Sequence, residues 1–229
     1  MNNTGIKKEF IDTILSFKSN DIWSVYSDFF AIAAQEIRYH LSFLTKEDTS
    51  KQKEYIEQIY KKYQDEEKEL FPKIYALFEL LIEQNIKNNK FVDVAGEVFH
   101  EIAANSKYTG QFFTPQYVAD LTADISINEK QIKEIIAKKG YISFNEPASG
   151  AGAMILAYAT AIKKYGYNPQ KVMFIQATDI DVRCVNMCYL QLALYGLSAV
   201  VIHGDTLTNA VWDKLQTPMY IVNLGRFKK

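Results

Sequence analysis

The residues best suited to chemistry lie in one short run, Glu146-Pro147-Ala148-Ser149-Gly150-Ala151-Gly152, and in two acids further on, Asp179 and Asp205. The run follows a strand-like segment and opens a helical one near Ala153. Gly150 and Gly152 remove side chains where the chain must bend sharply and where a ligand must come close to main-chain N–H groups, and the helix that follows adds a dipole favourable to a carboxylate. The turn is Gly-x-Gly, with neither a third glycine nor a Gly-Lys-Ser/Thr behind it, which excludes a nucleoside triphosphate loop and weakens a dinucleotide one. Read alone it is also compatible with a tight strand-to-helix connection. Asp179 and Asp205 each fall just after a strand-like run, at the edge where open α/β sheets bind ligands. A carboxylate at the first position accepts from ribose hydroxyls, and one at the second accepts from an adenine amino group. Read singly they are a helix N-cap and a turn acid; together with the glycine turn they point to a nucleoside cofactor. Asp181 is read as a helix-start acid.

Positioning these residues requires strands that alternate with helices, and the second part of the chain has that grammar. Strand-like runs at 141–144, 172–177 and 199–202 are separated by helical patterns at 152–165 and 181–195, which predicts parallel βαβ units in a doubly wound sheet. Ahead of them, Thr114-Pro115 reads as an N-cap and first-turn proline, opening a helix whose buried stripe is Val118, Leu121 and Ile125. Asn128 caps the next. Residues 1–109 instead read as helices. Their apolar stripes are Ile6/Phe10/Ile14/Phe17, a long row from Ile22 to Leu44, Tyr55/Ile59/Tyr63, and Ile74/Leu77/Leu81/Ile82, with Pro72 tolerable near a first turn. The expected organisation is a helical domain over 1–109 followed by an α/β domain over 110–229.

Composition sets outer bounds. The 229 residues are 48% hydrophobic and 14% aromatic, enough for one large core or two modest ones. Lys plus Arg total 26 against 27 acids, which disfavours a protein that coats a polyanion. The charge is uneven, with 14 basic and 18 acidic side chains up to residue 109 and 12 and 9 after it, so the second part is the better host for an anionic ligand. Cys184 and Cys188, four apart in an apolar helical pattern, read as reduced core thiols. No metal site, signal segment or apolar run of membrane-spanning length is evident, and the expectation is a soluble cytoplasmic protein.

Several runs, taken in order, resemble the adenine-specific DNA methyltransferases, closest to the modification subunits of type I restriction-modification systems. They are Gly110-Gln111-Phe112-Phe113-Thr114-Pro115, Glu146 to Gly152, Thr178-Asp179-Ile180-Asp181 and His203-Gly204-Asp205-Thr206-Leu207. The segment Asp93-Val94-Ala95-Gly96-Glu97-Val98-Phe99 and the helices before it look like the helical domain of those subunits. The resemblance implies a Rossmann-like S-adenosylmethionine-dependent methyltransferase sheet, in truncated form, behind an all-helical N-terminal domain. It also implies the cofactor S-adenosylmethionine: Phe113, Thr114 and Pro115 would close over it, Glu146, Ala148, Gly150 and Gly152 would hold the methionine end, Asp179 the ribose and Asp205 the adenine.

Family members flip the target adenine and hold its exocyclic amine with an Asn-Pro-Pro-aromatic loop. Here the sequence departs from them. After Asp205 it reads Pro218-Met219-Tyr220-Ile221-Val222-Asn223-Leu224-Gly225-Arg226-Phe227, in which Asn223 and Phe227 occupy the Asn and aromatic positions but Leu224-Gly225 replaces the prolines. An ordinary terminal strand and tail is the plainer reading. Three functions follow: a DNA adenine-N6 methyltransferase or its modification subunit; a catalytically inactive protein that binds S-adenosylmethionine or DNA; or a methyltransferase for a small molecule or protein. With only three Arg in the chain, DNA recognition is expected to come from a partner specificity subunit, and a homo-oligomer is possible.

Overall fold

A computed structural model describes residues 3–46, 48, 50–104 and 113–224. The chain forms two compact units, 1–84 and 85–229.

The first unit is helical. It comprises α1 (Asn3–Leu15), α2 (Ile22–Thr45), α3 (Ser50–Tyr60), the short α4 (Asp65–Lys68) and most of α5 (Leu70–Lys87). Asp21 starts α2 by accepting from the N–H groups of Trp23 and Ser24. Pro72 falls in the first turn of α5, where its missing N–H costs no helical hydrogen bond. The apolar stripes converge on an aromatic core. Phe10, Phe29, Phe30 and Phe78 are fully or almost fully buried, with ring centroids 4.7 to 5.7 Å apart in mostly edge-on contacts.

One carboxylate ties this unit's connections together. Glu67 on α4 accepts from the N–H groups of Lys18 (2.6 Å) and Ser19 (3.0 Å), from the Ser19 hydroxyl, and from the N–H of Gln64. Burial opposes the charged form, but these donors outweigh it and hold the carboxyl at about 2, below its ordinary 4.5. A depressed folded-state value means that the stabilisation is complete above pH 4.5 and is lost as pH falls toward 2. Glu67→Ala is expected to cost about 1 to 3 kcal/mol at neutral pH, and Glu67→Gln to flatten the stability loss across that acid window. Urea unfolding at pH 7, 4.5 and 3 checks both.

The second unit holds α6 (Val94–Ala104), α7 (Gln116–Ser126), α8 (Glu129–Lys139), β1 (Ile142–Glu146), α9 (Ala153–Lys164), α10 (Pro169–Val172), β2 (Met173–Asp179), α11 (Val182–Leu194), β3 (Ser198–Asp205), β4 (Ala210–Gln216) and α12 (Pro218–Asn223). It begins ahead of the 109/110 division expected from the sequence, because α6 packs on α11. The strands lie in the order β1-β2-β3-β4, with β1, β2 and β3 parallel and β4 antiparallel to β3. Successive right-handed crossovers in that order put α9 and α11 on one face. Against them lie Ile142, Ile175, Ala177, Ala199 and Val201, all buried.

Two expectations are corrected, and one strand was not foreseen. The sheet is helix-covered on one face rather than doubly wound: Ser143, Asn145 and Gln176 on the other face are exposed, and α12 covers part of it through Tyr220 against Phe174. A fourth strand, unread in the sequence, turns back on β3 as a hairpin, its Val-Trp-Asp-Lys stretch mixing apolar and charged residues without a clear alternation. The helix after Pro115 does not bury Val118, Leu121 and Ile125, which are 40%, 63% and 76% exposed; Ala119 and Ala123 are buried instead. Alanines allow the close approach that gives α7 and α9 their extensive contact. Cys184 and Cys188 are buried and not joined in a disulfide. No helix among the described residues is long and apolar enough to cross a membrane.

Candidate cofactor-binding site

At the carboxyl ends of the three parallel strands the chain brings together Glu146 from β1, Asp179 from β2 and Asp205 from β3. Parallel pairing in register does this: Glu146 lies beside Ala177, and Asp179 beside His203, so the strand ends form one stepped rim.

The glycine turn is fixed to that rim by its own backbone. Ser149 N–H donates to the Thr178 carbonyl (2.9 Å), Gly150 N–H to Asp179 Oδ2 (2.8 Å), and Gly152 N–H to the Ser149 carbonyl (2.9 Å). Ala148 N–H donates to Glu146 Oε1 (3.2 Å). Four N–H groups expected to face a ligand therefore face protein acceptors, and the glycines serve the turn itself. Gly150 has φ +52° and Gly152 φ +108°; the Phe113 ring lies over the first, 3.3 Å from where a Cβ would stand, and Cys188 Sγ lies 3.4 Å from a Cβ on the second.

Asp179 accepts twice, from Gly150 and, through Oδ1, from Asp181 N–H at 2.9 Å. Asp181 is the N-cap of α11, accepting from Arg183 N–H. Asp205 accepts from the N–H of Leu207 (2.9 Å), and the Thr208 hydroxyl beside it leads the contacts that lower its carboxyl. Glu146 moves the other way: burial raises its carboxyl, the Ala148 N–H opposes this, and the negative charge of Asp179 adds to it. Thr206 closes the rim, its hydroxyl donating to the Pro147 carbonyl at 2.6 Å.

Phe113 is buried, edge-on to Phe99 with centroids 4.7 Å apart, and its carbonyl is 3.0 Å from His100 Nε2. Thr114 is exposed, and Pro115 rather than Thr114 holds the N-cap position of α7, without a side-chain cap. Ala148 is exposed at the rim. Asn223 is elsewhere. It lies on α12, its Nδ2 donating to Ser198 Oγ at 2.9 Å, at the amino end of β3. Seven residue steps of strand separate Ser198 from Asp205, about 23 Å at the usual rise. Phe227, and Gly110 to Phe112, lie outside the described residues. Two residues had no role assigned from the sequence: Ile180 and Leu207, 63% and 94% exposed beside the two acids. The signal was an apolar residue next to a strand-end acid in an exposed turn, where solvent contact alone favours a polar one.

Residues 87–228 match the family model described as N-6 DNA Methylase. The chain belongs to that family. Over 111 residues it is 27% identical to the type I restriction enzyme MpnII methylase subunit of Mycoplasma pneumoniae, a match covering 47% of this chain and 18% of the relative. Among solved structures it is similar to a type I restriction-modification system methyltransferase subunit from Streptococcus thermophilus (14% identity, 86% of this chain, 57% of that one, TM-score 0.43). It is also similar to a putative class I S-adenosylmethionine-dependent methyltransferase from Listeria monocytogenes (17%, 82%, 56%, TM-score 0.42). Both scores are low, and membership of the N-6 DNA methylase family rests on the sequence match.

The turn geometry is testable without a ligand. Gly152→Ala forces an L-residue to φ +108° with Cys188 behind it, and is expected to cost about 1 to 3 kcal/mol. Gly140→Ala, at φ +79° with open space around the new Cβ, is expected to cost about 1 kcal/mol. Parallel urea titrations rank the two.

Proposed function

We propose that this N-6 DNA methylase family chain binds S-adenosylmethionine at the rim formed by β1, β2 and β3, as the cofactor-binding part of a DNA adenine-N6 modification subunit. The observation that supports this most is the placement of Glu146, Asp179 and Asp205 on successive parallel strand ends around the glycine turn.

The residues suit that cofactor chemically. Sulfonium and ammonium groups are cations, and the rim is a row of carboxylates in which Glu146 is already raised by burial and by Asp179. A nearby cation relieves that repulsion. Each Asp179 oxygen has accepted one N–H bond and retains a lone pair for a ribose hydroxyl. Asp205 accepts from an adenine amine, and the exposed Ile180 and Leu207 offer apolar surface to a purine. Phe113 lies over Gly150, and with Thr114 and Pro115 it would close over the methionine end, held by Ala148, Gly150 and Gly152. When bound, S-adenosylmethionine supplies a methyl group activated by the sulfonium.

The acceptor side is different. An adenine N6 amine is a poor nucleophile because its lone pair is delocalised, so transfer needs acceptors held on its hydrogens. Asn223 is bonded to Ser198 at the far end of β3, and on this reading those acceptors come from outside the described residues. DNA recognition falls to a partner specificity subunit, consistent with three Arg in the whole chain. The Asn223 geometry also favours a second reading, in which the chain binds S-adenosylmethionine or DNA without catalysing transfer.

Calorimetry with S-adenosylmethionine is expected to show binding that Asp179→Ala and Asp205→Ala each weaken by about 1 to 3 kcal/mol. Unchanged affinity in both variants contradicts the assignment. Transfer of labelled methyl groups to adenine-containing DNA, with and without a specificity subunit, separates the two readings. Asn223→Ala is expected to leave any transfer rate unaltered.

A further inference from the structure

Behind the glycine turn lies a polar cluster that the cofactor reading does not use. Gln191 of α11 and Asp93, just ahead of α6, are 0% and 2% exposed. Gln191 Nε2 donates to Asp93 Oδ1 (2.8 Å) and to the Ala151 carbonyl (2.8 Å), while its Oε1 accepts from Ala95 N–H (3.1 Å). Both amide hydrogens and the amide oxygen are engaged, so the group has one orientation. Asp93 Oδ1 also accepts from Gly96 N–H at 2.7 Å. A Cβ at residue 96 would land on the Asp93 carboxylate, so glycine is required there. On the other side, Asp93 N–H donates to Gln116 Oε1 (2.8 Å), whose Nε2 is held by Asp120 (2.8 Å). Gln116 directly follows Pro115.

One continuous frame, Ala151 to Gln191 to Asp93 to Gln116, thus joins the middle of the glycine turn to the root of the Phe113-Thr114-Pro115 arm. We infer that Gln191, Asp93 and Gln116 are positioning residues that set the gap between the arm and the turn, and hence the fit of the methionine end of the cofactor. None of the three contacts the rim carboxylates in the structure. The inference rests on the cofactor reading above, and it makes a distinction which that reading does not: the frame governs the methionine end and leaves the adenosine end, at Asp179 and Asp205, alone.

A burial cost alone would weaken all ligands together, so the test compares two. Calorimetry with S-adenosylmethionine and with adenosine is run on wild type, Gln191→Met and Gln116→Met. Gln191→Met keeps the volume but removes the amide; Gln116→Met acts from a half-buried position and retains the fold if the first variant does not. Each is expected to weaken S-adenosylmethionine about tenfold and adenosine less than about threefold, as the loss of one or two buried hydrogen bonds predicts. The double variant Gln116→Glu/Asp120→Asn, in which residue 116 keeps the acceptor for Asp93 N–H and residue 120 now donates across the same contact, is expected to restore most of the affinity.

Parallel losses for both ligands, or no loss, overturn the inference. Wild type that binds neither ligand instead refutes the cofactor reading. The frame is then judged by amide exchange at Ala151 and Gly152, which is expected to quicken in Gln191→Met while β2 stays protected; unchanged exchange there overturns it too.

Discussion

The carboxylate of Asp179 holds the second unit's rim in place. It accepts from Gly150 N–H and Asp181 N–H at once, joining the turn after β1 to the start of α11 across 29 and 2 residues of sequence. Without an acceptor there, the Gly150 amide would be a half-buried donor with no partner, and the turn would be held only by the Ser149 and Gly152 N–H bonds. The same two bonds aim the remaining lone pairs of the acid outward. On the proposed reading, the bonds that anchor Asp179 also orient it toward a ligand.

Much of the second unit was legible because its signals are local. The three parallel strands, the Asn128 and Asp181 caps and the buried thiols follow from short patterns that need no knowledge of distant partners. The sequence failed where a neighbour decides. Val118, Leu121 and Ile125 have helical spacing, yet α7 meets α9 through Ala119 and Ala123, since small residues let two backbones come closer than a leucine stripe would. β4 lacks a two-residue alternation and is made a strand by pairing with β3. Pro218 to Asn223 is apolar enough for a strand, but Thr217 and Pro218 form a helix start. In the site, the glycines and acids were readable as residue types. That four turn N–H groups would be taken up by protein acceptors was not, because those acceptors lie on other segments.

The uncovered face of the sheet is chemically consistent with its exposure. Parallel strands are usually buried on both faces and read as continuous apolar runs. β1 instead alternates, with Ile142 and Phe144 toward α9 and Ser143 and Asn145 away from it, and β2 places Gln176 beside Asn145, where the two amides bond at 3.3 Å. Where α12 does cover this face, the strand residue is Phe174. At these positions polarity and cover match.

The same matching fixes Asn223 where it is. Thr217, fully buried, donates its hydroxyl to the Leu197 carbonyl (2.7 Å), accepts from Ala199 N–H (2.9 Å) and caps α12 through Tyr220 N–H. Moving Asn223 to the carboxyl rim would require breaking its bond to Ser198 and dragging Tyr220 off Phe174. The amino and carboxyl ends of β3 therefore differ: one anchors a helix, and the other carries Asp205, an acid of the proposed cofactor rim.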